Sequence, residues 1–279
     1  MELGISVSGF LLDLAFSKKF NNLSDLLLEA NEACLTYAEE NDIKVCELVL
    51  DPQDVISNEI KRNFIDMCNG FSIKKRVHGP ITSINMCSNN SLISKASVES
   101  LIDTARICNQ INAETLTVHP GSEGFVQIES LFSFNKKRLI ESVDNLLDAT
   151  SDLAVKICIE NMPNVKGLTM LIHLKDIEQF FKDINRNDLF MTWDTSHSWT
   201  SDIDLEMLWK KFHNIIKNIH IVDNHNKTRD THPAIGSGKI DFQEIFDLIK
   251  KYDYNGALIV ELMSAKGLSK SLDFVKKFL

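Results

Sequence analysis

An aspartate and a histidine three residues apart, Asp194 and His197, close the short apolar run Phe190-Met191-Thr192-Trp193. A carboxylate ending such a run belongs at the tip of a strand buried on both faces, not inside a core. The same grammar recurs along the chain. His78 follows Lys75-Arg76-Val77, His119 follows Thr115-Leu116-Thr117-Val118, and Glu160 closes a run that starts at Val155. His220 sits within Ile219-His220-Ile221-Val222, and Glu261 follows Ala257-Leu258-Ile259-Val260. Asp230 and His232 lie two apart, so an extended segment would point both the same way. Together these are five imidazoles and four carboxylates. Carboxylates gathered in one place raise one another's pKa unless a cation sits among them. Mixed imidazole and carboxylate donors suit zinc, manganese or iron(II), whereas all-oxygen sites suit magnesium or calcium. Nine donors exceed the roughly four that one zinc takes, so a bridging carboxylate could serve two or three ions.

These donors share a site only if the fold brings strand ends together. Strand-like runs at residues 3–7, 45–50, 75–78, 115–119, 155–160, 189–194, 219–222 and 257–261 alternate with helical patterns. The helical patterns fall at residues 23–40, 55–68, 92–111, 136–149, 175–182, 205–213, 242–251 and 269–279. Such alternation implies βαβ units and a parallel sheet. Eight units without a linker or a composition shift predict an α/β fold, a single (β/α)8 TIM barrel over residues 1–279. The alternative, an open doubly wound sheet, lacks its glycine-rich phosphate fingerprint after the first strand. In a barrel the reactive groups collect at the C-terminal strand ends, which would make neighbours of all nine donors.

Composition narrows the class. A hydrophobic fraction of 44% and a charged fraction of 25% are those of a globular chain. No apolar run reaches the roughly 18 residues of a membrane span, so no membrane partner is expected. The N-terminus lacks the basic and apolar segments of a secretory signal, so the cytoplasm is the expected compartment. Six singly scattered cysteines form no C-x-x-C pair and read as small hydrophobes. The formal net charge of −9 argues against nucleic acid as a partner, although a local basic rim or bound cations can override it. No oligomeric state is implied.

The ordered set resembles the xylose-isomerase-like barrels, and within them the endonuclease IV (AP endonuclease family 2) branch. The matching pieces span nearly the whole chain: Val118-His119-Pro120-Gly121-Ser122, Ile159-Glu160-Asn161, Asp194-Thr195-Ser196-His197, Ile219-His220, Asp230-Thr231-His232 with Gly236-Ser237-Gly238, and Val260-Glu261. The resemblance implies one metal on His78, His119 and Glu160. A second would share Glu160 and take Asp194, His220 and Glu261, and a third would take His197, Asp230 and His232. Zinc is the expected ion, one to three per chain, with manganese or iron as alternatives. The chain also departs from that branch. Ile81 stands where the branch has a tyrosine, Val222 replaces an asparagine, and Thr231 replaces an arginine. The loop that carries a DNA-penetrating arginine there reads Asp51-Pro52-Gln53-Asp54. The metal chemistry matches and the DNA-reading parts do not.

Three functions therefore compete. The first is metal-assisted phosphoester hydrolysis on a sugar-phosphate or abasic-site-type DNA substrate. The second is a metal-dependent sugar or sugar-phosphate isomerase or epimerase, with Glu160 and Glu261 as the catalytic pair that moves a proton between adjacent carbons. The third is a metal-binding barrel without activity. Around the site, Asp223 and His225 are expected to support the donors, and Gly236-Ser237-Gly238 reads either as a phosphate cradle or as a turn. His173 and His213 fall in or beside helical patterns and are expected to face solvent.

Overall fold

The computed structural model describes residues 1–50, 57–122, 129–164 and 170–279. Eight strands, β1 (Glu2–Ser6), β2 (Val45–Val49), β3 (Lys74–His78), β4 (Thr115–Val118), β5 (Lys156–Glu160), β6 (Leu189–Asp194), β7 (Ile216–Ile221) and β8 (Ala257–Val260), pair in parallel and in chain order. The sheet closes because β8 returns to β1, with Leu3 opposite Leu258 and Gly4 opposite Ile259. Closure removes the open-sheet alternative. It also needs Gly4: a Cβ there would come within 2.7 Å of Ile259 Cδ1 and 2.8 Å of the Val45 carbonyl oxygen.

Helices α1 (Ser8–Ser17), α2 (Leu23–Glu40), α3 (Asn58–Gly70), α4 (Ser91–Gln110), α5 (Glu129–Ala149), α6 (Leu174–Ile184), α7 (Thr195–Thr200), α8 (Leu205–Phe212), α9 (Phe242–Lys251) and α10 (Leu268–Val275) lie between and after the strands. Local chemistry sets several of their ends. The Asn22 side chain accepts from Asp25 N to start α2, and Asp241 accepts from Gln243 N and Glu244 N to start α9. Asn185 ends α6 in the left-handed region, with φ of 47°.

Alternate residues of each strand face opposite ways, and the two faces differ. Outward residues meet the helices in one large apolar core; Trp193 of β6, for example, meets Trp209 of α8 edge-on at 5.3 Å. The inside of the barrel holds a small apolar plug of Val45, Ala257 and Ile259. Beyond it lies a buried polar layer that includes Glu47, Arg76, Thr117, Thr192 and Asn218.

The expected strands and helices are present, although β7 starts at Ile216 rather than 219 and α10 ends at Val275 rather than 279, and three differences are larger. Helix α1 was not foreseen because Ser8–Ser17 is apolar nearly all round, so no 3.6-residue stripe stands out. Helix α7 is too short, at six residues, to carry a period. Helix α5 starts at Glu129, seven residues ahead of its expected start at residue 136. The Asp51-Pro52-Gln53-Asp54 loop and the expected first residues of α3 lie outside the described residues. His213 does not face solvent freely: it is half-buried against Tyr252, with Nδ1 donating to the Trp209 carbonyl. All six cysteines are free and buried, and burial pushes the Cys68 and Cys158 thiols up to about 12. Among the described residues no helix is long and apolar enough to cross a membrane.

Candidate metal centre

The nine donors meet at the C-terminal mouth of the barrel. His78 ends β3, His119 follows β4, Glu160 ends β5, Asp194 ends β6 and His220 is the penultimate residue of β7. Glu261 follows β8 directly, while Asp230 and His232 come from the loop between β7 and α9. Seven of the nine form three groups with ligand atoms within 4.8 Å of one another: His78, His119 and Glu160; Glu160, Asp194 and His220; and Asp194, His197 and His232, where Asp194 stands in place of the expected Asp230.

Glu160 is the hub. Its Oε2 lies 3.0 Å from His119 Nε2 and 3.5 Å from His78 Nε2, while its Oε1 lies 3.1 Å from His220 Nδ1. Glu261 joins from the other side, with Oε2 3.2 Å from the same His220 nitrogen. Its Oε1 accepts from Ser8 Oγ at 2.9 Å, so the unforeseen helix α1 orients this carboxylate. Asp230 Oδ2 reaches His197 Nε2 at 3.1 Å and His232 Nε2 at 2.8 Å, and Ser196 Oγ donates to its Oδ1.

The three-residue spacing of Asp194 and His197 now has a structural cause. Asp194 is the N-cap of α7: its Oδ1 accepts from His197 N at 2.7 Å. Capping turns the strand end at once into a helix and lifts the His197 ring towards Asp230. Asn161 locks the same corner, its side chain bonded to the backbone N and O of Asp194 and its carbonyl accepting from His197 Nδ1.

Metal ions fit these residues on two grounds. Asp194 is fully buried, yet its Oδ2 has no hydrogen-bond partner among the described residues. A buried carboxylate oxygen is costly to leave unsatisfied, and this one faces His220 Nδ1 at 3.9 Å. The second ground is the orientation of the rings. His78 Nδ1 and His197 Nδ1 each give their hydrogen to a carbonyl, of Gly79 and Asn161, which leaves both Nε2 atoms turned to the carboxylates. Tying one ring nitrogen to an acceptor is how proteins present the other to a metal.

The electrostatics agree. Burial would drive the His78, His197 and His232 imidazoles to lower pKa, but the carboxylates around them win and lift them to about 9, 10 and 9. His220 is raised well above the ordinary value for the same reason, chiefly by Glu47 and Glu160. Burial raises Asp194 to about 6. His119 is lowered by burial, which its single close carboxylate, Glu160, does not offset. Glu160 and Asp230 are both held low: burial opposes this, but the surrounding imidazoles prevail. Among these donors there is no lysine or arginine partner, so protons stand where divalent charge would otherwise balance the carboxylates.

One contributor escaped the sequence reading. Glu47, in the middle of β2, is buried and lies 2.7 Å from His220 Nε2. Two surrounding expectations also change. The Gly236-Ser237-Gly238 segment is no open phosphate cradle, because Gly236 N and Gly238 N donate to Asp223 Oδ2 at 2.9 and 2.7 Å. Asp223 thus pins the loop that carries Asp230 and His232. His225 is exposed and touches that loop through its backbone, with N donating to Thr231 Oγ1 at 3.4 Å.

Comparison with known proteins places this geometry. An uncharacterized protein of Methanocaldococcus jannaschii is 26% identical over 247 residues, which cover 86% of this chain and 82% of that one. A probable endonuclease 4 of Mycoplasmopsis synoviae is 28% identical over 61% of this chain and 63% of its own length. Among solved structures, a D-tagatose 3-epimerase-like protein superposes with a TM-score of 0.82 at 23% identity, covering 100% of this chain and 97% of that one. At that identity the likeness speaks for the fold alone. A family model described as xylose isomerase-like TIM barrel matches residues 35–278. With the closed barrel and its donor-lined mouth, that match, spanning most of the chain, establishes that the protein belongs to the xylose isomerase-like TIM barrel family.

Proposed function

We propose that this chain is a divalent-metal-dependent phosphoester hydrolase of the endonuclease IV kind, acting on a sugar-phosphate or abasic-site-type substrate. One observation carries the reading: the donors fall into three groups, and a reaction at a single ion has no use for the Asp194, His197 and His232 group. Zinc is the expected occupant, with manganese or iron as alternatives. Bound there, divalent ions would supply Lewis acidity, making a water nucleophile available at neutral pH and neutralising charge on phosphate oxygens. The chain's own part is to hold the donors in place. Glu160 joins two groups, Ser8 orients Glu261, and Asp223 anchors the loop that presents Asp230 and His232. The similarity to a probable endonuclease 4 supports the reading. The net charge of −9, Ile81 and Thr231 favour a small sugar phosphate over duplex DNA.

A second reading, a sugar or sugar-phosphate isomerase or epimerase, draws on a different observation. Glu160 and Glu261 converge on one nitrogen, His220 Nδ1, at 3.1 and 3.2 Å. Two carboxylates beside one ion position suit proton transfer between adjacent carbons of a ketose. The two readings separate in one experiment. Protein loaded with zinc or manganese is assayed for ions per chain, for cleavage of abasic duplex and phosphomonoesters, and for solvent deuterium entering ketoses. Two or more ions with phosphoester cleavage support hydrolysis. A single ion without cleavage overturns it, and deuterium at a sugar carbon then supports the second reading.

A further inference from the structure

We propose that Glu47 is a positioning residue that fixes which nitrogen of His220 faces the metal centre. The inference rests on reading His220 as a metal donor, and it holds for either reaction at that site.

Glu47 sits inside the barrel, far from solvent, at a position where a carboxylate is unfavourable unless fully bonded. It is fully bonded. Thr117 Oγ1 donates to Oε1 at 3.0 Å, Asn218 Nδ2 lies 3.2 Å from both oxygens, and His220 Nε2 meets Oε2 at 2.7 Å. Glu47 thereby joins β2 to β4 and β7 beneath the donor cluster. A carboxylate only accepts, so the nitrogen facing it must carry the hydrogen. By the same rule Nδ1, which faces Glu160 and Glu261, holds a hydrogen until a divalent ion displaces it, whereas the Nε2 hydrogen stays with Glu47 and leaves Nδ1 as the nitrogen open to the ion.

The arrangement matches the rings of His78 and His197, each tied by one nitrogen to an acceptor. The difference is that their acceptors are backbone carbonyls, whereas the acceptor for His220 is a side chain. A competitor also waits at the same nitrogen. Asn218 Nδ2 lies 3.2 Å from His220 Nε2 and can only donate. Were Glu47 absent, that amide would bond to an unprotonated Nε2 and move the hydrogen to Nδ1, where it blocks metal ligation. Glu47 does two things at once: it occupies the Asn218 amide and claims the Nε2 hydrogen.

The test uses zinc-loaded full-length protein with two readouts besides activity: zinc affinity by chelator competition, and the protonated nitrogen of His220 by histidine 15N NMR. In wild-type protein Nε2 carries the hydrogen and Nδ1 is the ligand. Glu47→Leu should weaken zinc binding roughly 10- to 100-fold, the usual cost of losing such a partner, and move the hydrogen to Nδ1. Glu47→Gln, whose amide oxygen can still accept, should recover most of the affinity. Removing the competitor as well, in the Glu47→Leu/Asn218→Leu double variant, should bring affinity back above that of Glu47→Leu alone. Wild-type affinity with hydrogen still on Nε2 in Glu47→Leu overturns the proposal. If that variant does not fold, Glu47→Asp serves instead: its shorter side chain should weaken zinc binding, and unchanged affinity and ring state overturn the proposal equally. A wild-type chain that takes up no divalent ion overturns the metal-centre reading itself, an outcome distinct from unchanged variants.

Discussion

The two ends of this barrel are both rich in charge and are built on opposite principles. At the N-terminal end an open cavity of about 620 Å3 is lined by Glu2, Lys74, Arg76, Glu114, Lys156 and Lys217, among others. There the acids meet bases: Lys74 pairs with Glu2 at 2.7 Å, and Arg76 with Glu114 at 2.7 Å. At the C-terminal end the chargeable partners of the carboxylates are imidazoles, and Asp194 Oδ2 meets no donor among the described residues. Fixed cations satisfy the first set permanently. Imidazoles can give up their protons, so the second set can exchange them for a metal. The N-terminal cavity is therefore the chemically quieter end. This accords with the general division of such barrels into a stabilising face and a reactive face.

The comparison can be broken most directly at its hub. Glu160→Gln and Glu261→Gln should each lower turnover by roughly 10²- to 10⁴-fold, the range for losing a general acid or base, with the circular dichroism spectrum unchanged. A wild-type rate in either variant contradicts the site. Next is the pH response, where the two sets of charges should part company. His78, His197 and His232, held near 9, 10 and 9, must lose protons before they bind an ion. Metal affinity should rise by about tenfold per pH unit for each proton displaced, from pH 6 towards 9, with proton release visible by calorimetry in buffers of different ionisation enthalpy. The metal-free chain should show the reverse trend. A raised imidazole pKa stabilises the fold fully below the unfolded value of about 6.5. That contribution is lost as pH rises through 9 to 10. A flat melting temperature over that window would count against the cluster as described.

Smaller effects sharpen the other half. Arg76→Met removes a charged donor from Glu114 and from the Lys217 carbonyl. It should cost about 1–3 kcal/mol of stability, as for hydrogen bonds to a charged group, read by urea denaturation, with metal content unchanged. A loss of metal in that variant would mean that the two ends are coupled through Asn218, which Arg76 also touches. Lys74→Ala breaks only an exposed pair and should leave denaturation midpoint and metal content alike.

Much of the site could be read before the fold was known. Strands β4, β5, β6 and β8 run largely apolar until a candidate donor closes them, so His119, Glu160, Asp194 and Glu261 announce strand ends by residue type, while His78 closes the more polar β3. The strand β6 and the helices α2 and α9 were bounded correctly for the same reason: strong apolar patterning met a capping residue at one end. Glu47 was missed because it lies mid-strand, between Cys46 and Leu48, in a run that reads as simply buried. Its signal was the two-residue period. Glu47, Arg76, Thr117 and Asn218 all stand on alternate positions that turn inward, a pattern visible in the sequence once the inner face is known to be polar.

By itself the sequence determined the alternation of strands and helices, the residue types that can hold divalent ions, and their order along the chain. These follow from local patterning, which needs no knowledge of distant partners. Only the tertiary structure decided which candidate donors lie close enough to hold a common ion, which ring nitrogens are tied, and that the glycine-rich turn is already filled by Asp223. The physical reason is closure. When β8 joins β1, residues as distant as Glu47 and His220, 173 positions apart, are brought into hydrogen-bond contact, and hydrogen-bond geometry then settles roles that residue type leaves open.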